Sequence, residues 1–373
     1  MRSKTPSIPK LSNIFLIVVI LAGQFLGLYT STAADEAASQ TVFLPLVMTS
    51  PGEQIAFLAS PGDDWNVKDI FVMYENGSHL QNLTSNPSRI QGFEWSPDGA
   101  KIVFASNLTG NYEIYVMNAD GSALTQLTIE AAYDALPSWS PDGTRILFVS
   151  NREGSPAIYI MNADGSMLNR LTWYTYESTG EPYWSPDGSK IAFSDGPYNQ
   201  REIYVINVDG SGLTALTNNI YEDYFLEWAP DSSALLFRSN QGQGGLDDRY
   251  DIYRMNTDGT NVIRFTESGY CYNATWSPLG DLVAYFDGGI SGADQGFYIA
   301  NADGTGKTPL LCGAQDIQTQ DPSWSPDGTH ITYSPTSFLY PGGSGIFSVS
   351  VDGTSCQHLT DMFAHDPLWR PKP

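Results

Sequence analysis

The residues of this sequence best equipped for chemistry are acids and aromatic rings that stand together between copies of a simpler pattern. Trp173, Tyr174, Tyr176 and Glu177 form one group, Tyr221, Asp223 and Tyr224 a second, and Tyr270, Tyr272 and His365 occupy equivalent places further along. Rigid rings beside hydrogen-bonding acids suit the centre of a protein interface or stacking against sugar rings. Another set, Glu181, Asn273, Asp321 and Asp366, recurs near the start of one strand in successive copies. Where such strands converge, the carboxylates would suit Ca²⁺ or a cationic group; the plainer role is a solvated polar lining at a channel mouth.

Neither set carries a catalytic signature. There is no G-x-S-x-G nucleophile elbow. The four histidines are scattered, and no H-x-x-x-H spacing or Cys/His cluster suits zinc. Gly304-Thr305-Gly306-Lys307-Thr308 has the outline of a phosphate loop, but Asn301 stands where the first Gly belongs and Pro309 follows where a helix should start. The sequence thus points away from an enzyme, although carboxylates spread over several loops would escape a motif search. Asp98, Asp142, Asp187 and Asp327 each precede Gly in the same short motif and are expected to serve a turn, not a ligand.

That motif reveals the elements that must position the rest. Trp139-Ser140-Pro141-Asp142-Gly143 runs into Arg145-Ile146-Leu147-Phe148, and near-copies are anchored at Trp95, Trp184, Trp228, Trp276, Trp324 and Trp369, 44 to 48 residues apart. A fixed period of this size marks a repeat array. Pro presets φ and Gly takes the left-handed position of a bulged hairpin, so a Trp-bearing strand turns into a second, apolar one. A third strand, Ala157 to Met161, is closed by Asn162-Ala163-Asp164-Gly165, and a fourth ends at Leu171-Thr172. A four-stranded antiparallel sheet of this size cannot bury both faces alone; stacking such sheets radially solves the problem. Seven second strands begin near Ile55, Ile102, Ile146, Ile191, Leu235, Leu282 and Ile331, yet the order starts with a second strand and ends with the Trp strand at Asp366-Pro367-Leu368-Trp369. The expected fold is therefore all-β, a seven-bladed β-propeller closed by the C-terminal strand joining the N-terminal blade.

The combination of WSPDG, I-x-F, I-Y-x-M-N-x-D-G-S and L-T resembles the TolB-type propeller repeat, a bacterial exported relative of WD repeats, over roughly residues 53 to 370. TolB proteins carry an α/β domain before six blades, and prolyl oligopeptidase-like enzymes a hydrolase domain after theirs. Neither domain is seen in this sequence, so the resemblance implies the propeller and not those activities.

Strand direction sorts the loops. The WSPDG and N-x-D-G turns fall at one end of the sheets, face two, and are short and repetitive. The connections between blades and between second and third strands fall at the other end, face one, and are long and variable, the usual place for binding residues. Both candidate sets lie there, with Tyr133, Asp134, Glu222 and Phe363, and with Asp63, Asp64, Trp65, Asp195, Tyr198 and the Gln241–Tyr250 insert in the loops within blades.

Composition narrows the partners. A formal net charge of −23 argues against nucleic acid and anionic membrane surfaces, both of which reward Lys and Arg. Arg2, Lys4 and Lys10 before the apolar run Ile14 to Leu28, then Ser31-Thr32-Ala33-Ala34, make residues 1–34 a secretory signal peptide or an uncleaved anchor, the only membrane contact expected. Residues 35–52 read as a linker and 53–373 as the propeller. Three cysteines allow one disulfide at most, with Cys271 and Cys312 the expected pair. The function expected is an exported scaffold, secreted, periplasmic or at the cell surface, that binds a protein. Glycan binding or cleavage on the same face is the alternative. Replacing Trp324 by Ala should cost about 3–5 kcal/mol in denaturant unfolding, the range for a buried Trp; a loss below about 1 kcal/mol would mean that the ring is not buried.

Overall fold

The computed structural model describes residues 18–21, 24–27, 52–61, 67–85, 88–173, 181–197, 199–243, 249–289, 296–310, 319–335 and 345–372. The chain forms two compact units, Met1–Gly52 and Glu53–Pro373. Within the first, the described residues of the leader form an antiparallel hairpin, Val18–Leu21 with Gln24–Gly27. The rest of the leader and residues 35–51 of the expected linker lie outside the described residues. No described helix is long and apolar enough to cross a membrane.

The second unit consists of seven four-stranded antiparallel sheets. In the third blade the strands are Asp134–Trp139, Arg145–Ser150, Ala157–Asn162 and Asn169–Arg170, paired in that order. The first blade is assembled from both ends of the unit. Ala364–Trp369 pairs with Gln54–Ala59, placing Ile55 opposite Trp369 and Ala59 opposite Ala364, and Asp69–Tyr74 and Gln81–Asn82 complete the sheet. Closure by the C-terminal strand is as the repeat order requires.

The apolar second strands are buried on both sides, which is why they read as continuous hydrophobic runs and not as alternations. Ile55, Phe57 and Ala59 pack with Ile346 and Leu359 of the seventh blade, whereas Ala56 and Leu58 pack with Ile90, Phe93 and Trp95 of the second. Each core cluster is thus shared by two blades. The fourth strands are mostly two residues long, and the recurring L-T explains how they stay in place. Thr172 Oγ1 accepts the Ile158 N–H at 3.0 Å, and Thr84, Thr128, Thr217 and Thr266 do the same for Ile70, Ile114, Ile203 and Ile252.

The WSPDG turn is held by its own side chains. Asp142 Oδ1 accepts from Ser140 Oγ at 2.6 Å and from the Thr144 N–H at 3.0 Å, while Ser140 Oγ accepts the Arg145 N–H at 2.9 Å. These bonds, the Ser140 hydroxyl foremost, hold the Asp142 carboxyl down at about 2. Gly143 sits at φ +68, a conformation an L side chain resists. The same bonds recur at Asp98, Asp187 and Asp327, so these aspartates serve the turn as expected.

Tryptophan joins one blade to the next, and every joint uses the residue preceding Trp in the neighbouring blade. Glu94 Oε2 accepts the Trp139 main-chain N–H at 2.6 Å and Glu227 Oε2 that of Trp276 at 2.7 Å; Ser323 Oγ stands 3.5 Å from that of Trp369. At the other four joints the indole N–H donates instead to a main-chain carbonyl: Trp95 to Leu368 and Trp228 to Tyr183 at 3.3 Å, Trp184 to Ser138 at 3.4 Å, and Trp324 to Thr275 at 3.3 Å. The side chain available decides which bond forms. Leu368 has no acceptor, the Tyr183 hydroxyl donates to Glu181, and the hydroxyls of Ser138 and Thr275 are taken by Glu94 and Glu227. Accordingly, the indole N–H groups of Trp139, Trp276 and Trp369 are buried without a partner.

Burial pushes the carboxyls of Glu94 and Glu227 up to about 7, against the lowering effect of the main-chain N–H each accepts. A carboxyl raised on folding contributes stability that is complete below its unfolded value, near 4.5, and is lost as pH rises through about 7. E94Q together with E227Q keeps the acceptor and removes the ionisation. The double variant should gain on the wild type by about 5 kcal/mol, roughly half from each carboxyl, between pH 5 and pH 8. Parallel stability–pH curves for the two proteins would contradict this. Deleting residues 364–373 should leave Gln54–Ala59 as an open edge, lowering the melting temperature and causing aggregation; an unchanged melting profile would count against closure by that strand.

Candidate functional site

The antiparallel order of every blade places the inter-blade connections and the second-to-third loops at the same end of the strands. Large apolar side chains are exposed there at four of the connections: Ile129 at 84%, Trp173 at 69%, Ile220 at 81%, and Phe363 less fully, with Tyr133 beside Ile129. The Arg170 guanidinium lies 4.9 Å from the Trp173 ring and pairs with Glu153 at 2.5 Å, so the most exposed aromatic ring among the described residues of face one stands over a neutralised pair. Tyr174, Tyr176 and Glu177, expected beside Trp173, lie outside the described residues, and so do the side chains of Tyr272 and Asp321.

Not every acid expected on this face is presented. Asp223 is 1% exposed and its Oδ2 accepts from Asn219 Nδ2 at 2.8 Å; burial raises its carboxyl. Asp134 is equally internal, paired with Arg152 at 2.8 Å. Both open a first strand and are held internally, Asp134 by Arg152 of its own blade and Asp223 by Asn219 of the connection before it, a role their place at the loop edge concealed. Tyr221 is half-buried, with its N–H donating to Asn219 Oδ1 at 2.6 Å. Tyr270 is half-buried under the guanidinium of Arg249, 5.5 Å from its centroid. His365 Nδ1 lies 2.8 Å from Asp366 Oδ2.

Tyr224 belongs to a tight polar cluster. Glu222 is buried; its Oε1 accepts from Arg201 Nη1 at 2.9 Å and from the Tyr224 hydroxyl at 2.8 Å, and its Oε2 accepts from the Tyr250 hydroxyl at 2.6 Å. Burial raises the Tyr250 hydroxyl, and the carboxylate it bonds raises it further. The guanidiniums of Arg201 and Arg238 both lie against the Tyr224 ring, at 4.9 and 4.3 Å. Arg201 and Arg238 were not among the sequence candidates, since isolated arginines carry no motif.

The first strands line a cavity of about 700 Å³. Glu181, Asn273 and Asp366 border it, together with Glu94 and Glu227. The two glutamates were not singled out from the sequence, although each immediately precedes Trp in Phe93-Glu94-Trp95 and Leu226-Glu227-Trp228. Among the described residues no group of three or more His, Cys, Asp or Glu is arranged to hold a metal ion.

The expected Cys271–Cys312 pair does not form. Cys271 is a buried free thiol in the strand Cys271–Trp276, 3.4 Å from Ser268 Oγ, and burial pushes it up to about 12. Cys356 is the disulfide-bonded cysteine. The first-strand position of Cys271, inside the blade and not in a loop, is what the spacing argument missed.

The sequence matches the family described as the TolB beta propeller domain over residues 52–180 and 174–373. No curated protein matches it. Among solved structures, TolB from Acinetobacter baumannii is 20% identical, covering 86% of this chain and 67% of its own, with a TM-score of 0.52. An oligogalacturonate lyase from Vibrio parahaemolyticus is 17% identical over 83% and 86% of the two chains, with a TM-score of 0.62. A prolyl endopeptidase is 14% identical with a TM-score of 0.63; the match covers 84% of this chain and 48% of that one. At these identities the likeness is one of fold. Both arms of the family match together span the whole ring, and the chain belongs to the TolB β-propeller family.

Proposed function

We propose that this protein is an exported binding scaffold whose rigid ring presents face one to a protein partner at the cell envelope or outside the cell. The observation that carries the reading is the exposure of Ile129, Trp173, Ile220 and Phe363 at corresponding connections, all at one end of the sheets. Large apolar side chains gathered on one surface among polar ones mark an interaction site. Face two also exposes apolar side chains, one or two to a blade, with Leu124, Met167, Leu168 and Leu213 among them, but there they sit on near-identical tight turns. Face one combines variable loops with aromatic rings, which is where binding energy concentrates. Trp173, Tyr174, Tyr176, Glu177, Tyr221, Tyr224, Tyr270, Tyr272 and His365 are proposed as contact residues, with Glu181, Asn273, Asp321 and Asp366 at the channel mouth. The charged and apolar leader supports export, as a cleaved signal or as an anchor.

The exposed ring of Trp173 favours a second reading, in which the same face binds or cleaves a glycan. One experiment separates the two. A variant carrying I129S, W173S, I220S and F363S should fold as the wild type does and retain less than about a tenth of the partner captured from an envelope extract, a loss of about 1.4 kcal/mol or more. The face-two variant L124S, M167S and L213S should retain it. Loss of capture by the face-two variant alone would refute the proposal, whereas saturable binding on a glycan array that only W173S removes would select the second reading.

A further inference from the structure

One position breaks the regularity of the ring. The fifth residue of the second strand is Leu58, Ala105, Val149, Ser194, Phe286 or Ser334 in six blades, all buried, but in the fifth blade it is Arg238. Alternation along the strand puts it on the side of Leu236, which packs toward the sixth blade. A guanidinium at such a position costs stability unless an anion meets it. None does among the described residues. Arg238 takes part in no ion pair there, and its Nε is buried without a partner. Glu222, the nearby carboxylate, already binds Arg201 and the hydroxyls of Tyr224 and Tyr250. The guanidinium instead stacks 4.3 Å from the Tyr224 centroid and 5.2 Å from that of Tyr250. Arg201 and Arg238 both lie against the Tyr224 ring, and Glu222, which accepts from that tyrosine, is paired with Arg201.

We propose that the face-one end of the fifth blade is a recognition site for a carboxylate, with Arg238 as the donor fork and Tyr224 and Tyr250 as its walls. A guanidinium binds a planar carboxylate through two parallel N–H donors, and stacking on the tyrosines holds that fork in place. The field of the whole chain repels a phosphate dianion more than a singly charged carboxylate. The carboxylate belongs to a small organic acid or to an acidic peptide. The site shares Tyr224 with the contact surface proposed above but needs no partner protein, so acetate binding and partner capture can fail independently.

The test is a titration of the full-chain protein with sodium acetate against sodium chloride at constant ionic strength, followed by the Nε–Hε resonance of Arg238. A saturable shift with a dissociation constant on the order of millimolar is expected, as for one charge-assisted fork. R238L should abolish it and melt above the wild type, because it removes an unpaired charge and restores the kind of residue found as Leu58 in the first blade. R238K keeps the charge without the fork and should bind acetate more weakly. An N-acetylated, C-amidated glutamyl peptide that binds about tenfold tighter than acetate identifies a peptide source, and equal affinity a small acid. Four results would overturn the proposal: no saturation, phosphate outcompeting acetate, an R238L variant that melts below the wild type, or acetate binding that appears only in D247N/D248N. The third makes Arg238 structural through its stacking, and the fourth makes the chain's own insert the occupant.

Discussion

The contact on which the ring depends is the hydrogen bond between the Trp of one blade and the residue preceding Trp in the blade before it. First strands face the channel, so their outward main-chain N–H groups have no fifth strand to pair with and must find a partner across the joint. Glu94, Glu227 and Ser323 supply one with a side chain, and elsewhere the indole donates to a carbonyl. Because Glu94 also takes the Ser138 hydroxyl and Glu227 that of Thr275, each choice at one joint determines the choice at the next. The seven joints form one connected circuit, and the composite blade at Leu368 and Trp369 is a member of it.

This circuit has an electrostatic consequence. Holding Glu94 and Glu227 at the wall of the cavity raises both carboxyls toward neutrality, so the channel lining is less anionic than its composition suggests. The acids that open the first strands are also withheld from solvent: Asp134 pairs with Arg152, and Asp223 accepts from Asn219. Much of the acidity of this chain is thus internal or tied up in WSPDG and N-x-D-G turns. What face one offers a ligand is apolar and aromatic surface, with arginines stacked on tyrosines in the fifth blade.

The repeat made most of the architecture legible. Turn chemistry in Trp139-Ser140-Pro141-Asp142-Gly143 and the apolar runs after it locate each hairpin, because those residues answer to local backbone constraints and to burial on both sides. Starting on a second strand at Gln54 and ending on a Trp strand at Trp369 entailed closure. The site was less legible. Tyr224 and Asp223 are adjacent in sequence, yet one joins a cluster of arginines and the other is sealed inside its blade, since alternate residues of a strand face opposite ways. Cys271 looked like a loop cysteine and is a core one.

By itself the sequence determined the number of blades, the composition of each and the face on which irregular loops collect. These follow from local turn preference and hydrophobic run length, neither of which needs distant contacts. Tertiary structure alone decided which acids remain available, which glutamates join the blades, which cysteine stays free and where an arginine meets no anion among the described residues. Those are questions of pairing between residues dozens of positions apart, as Glu94 with Trp139 or Arg238 with Tyr250, and only the radial stacking of the sheets brings such partners within bonding distance.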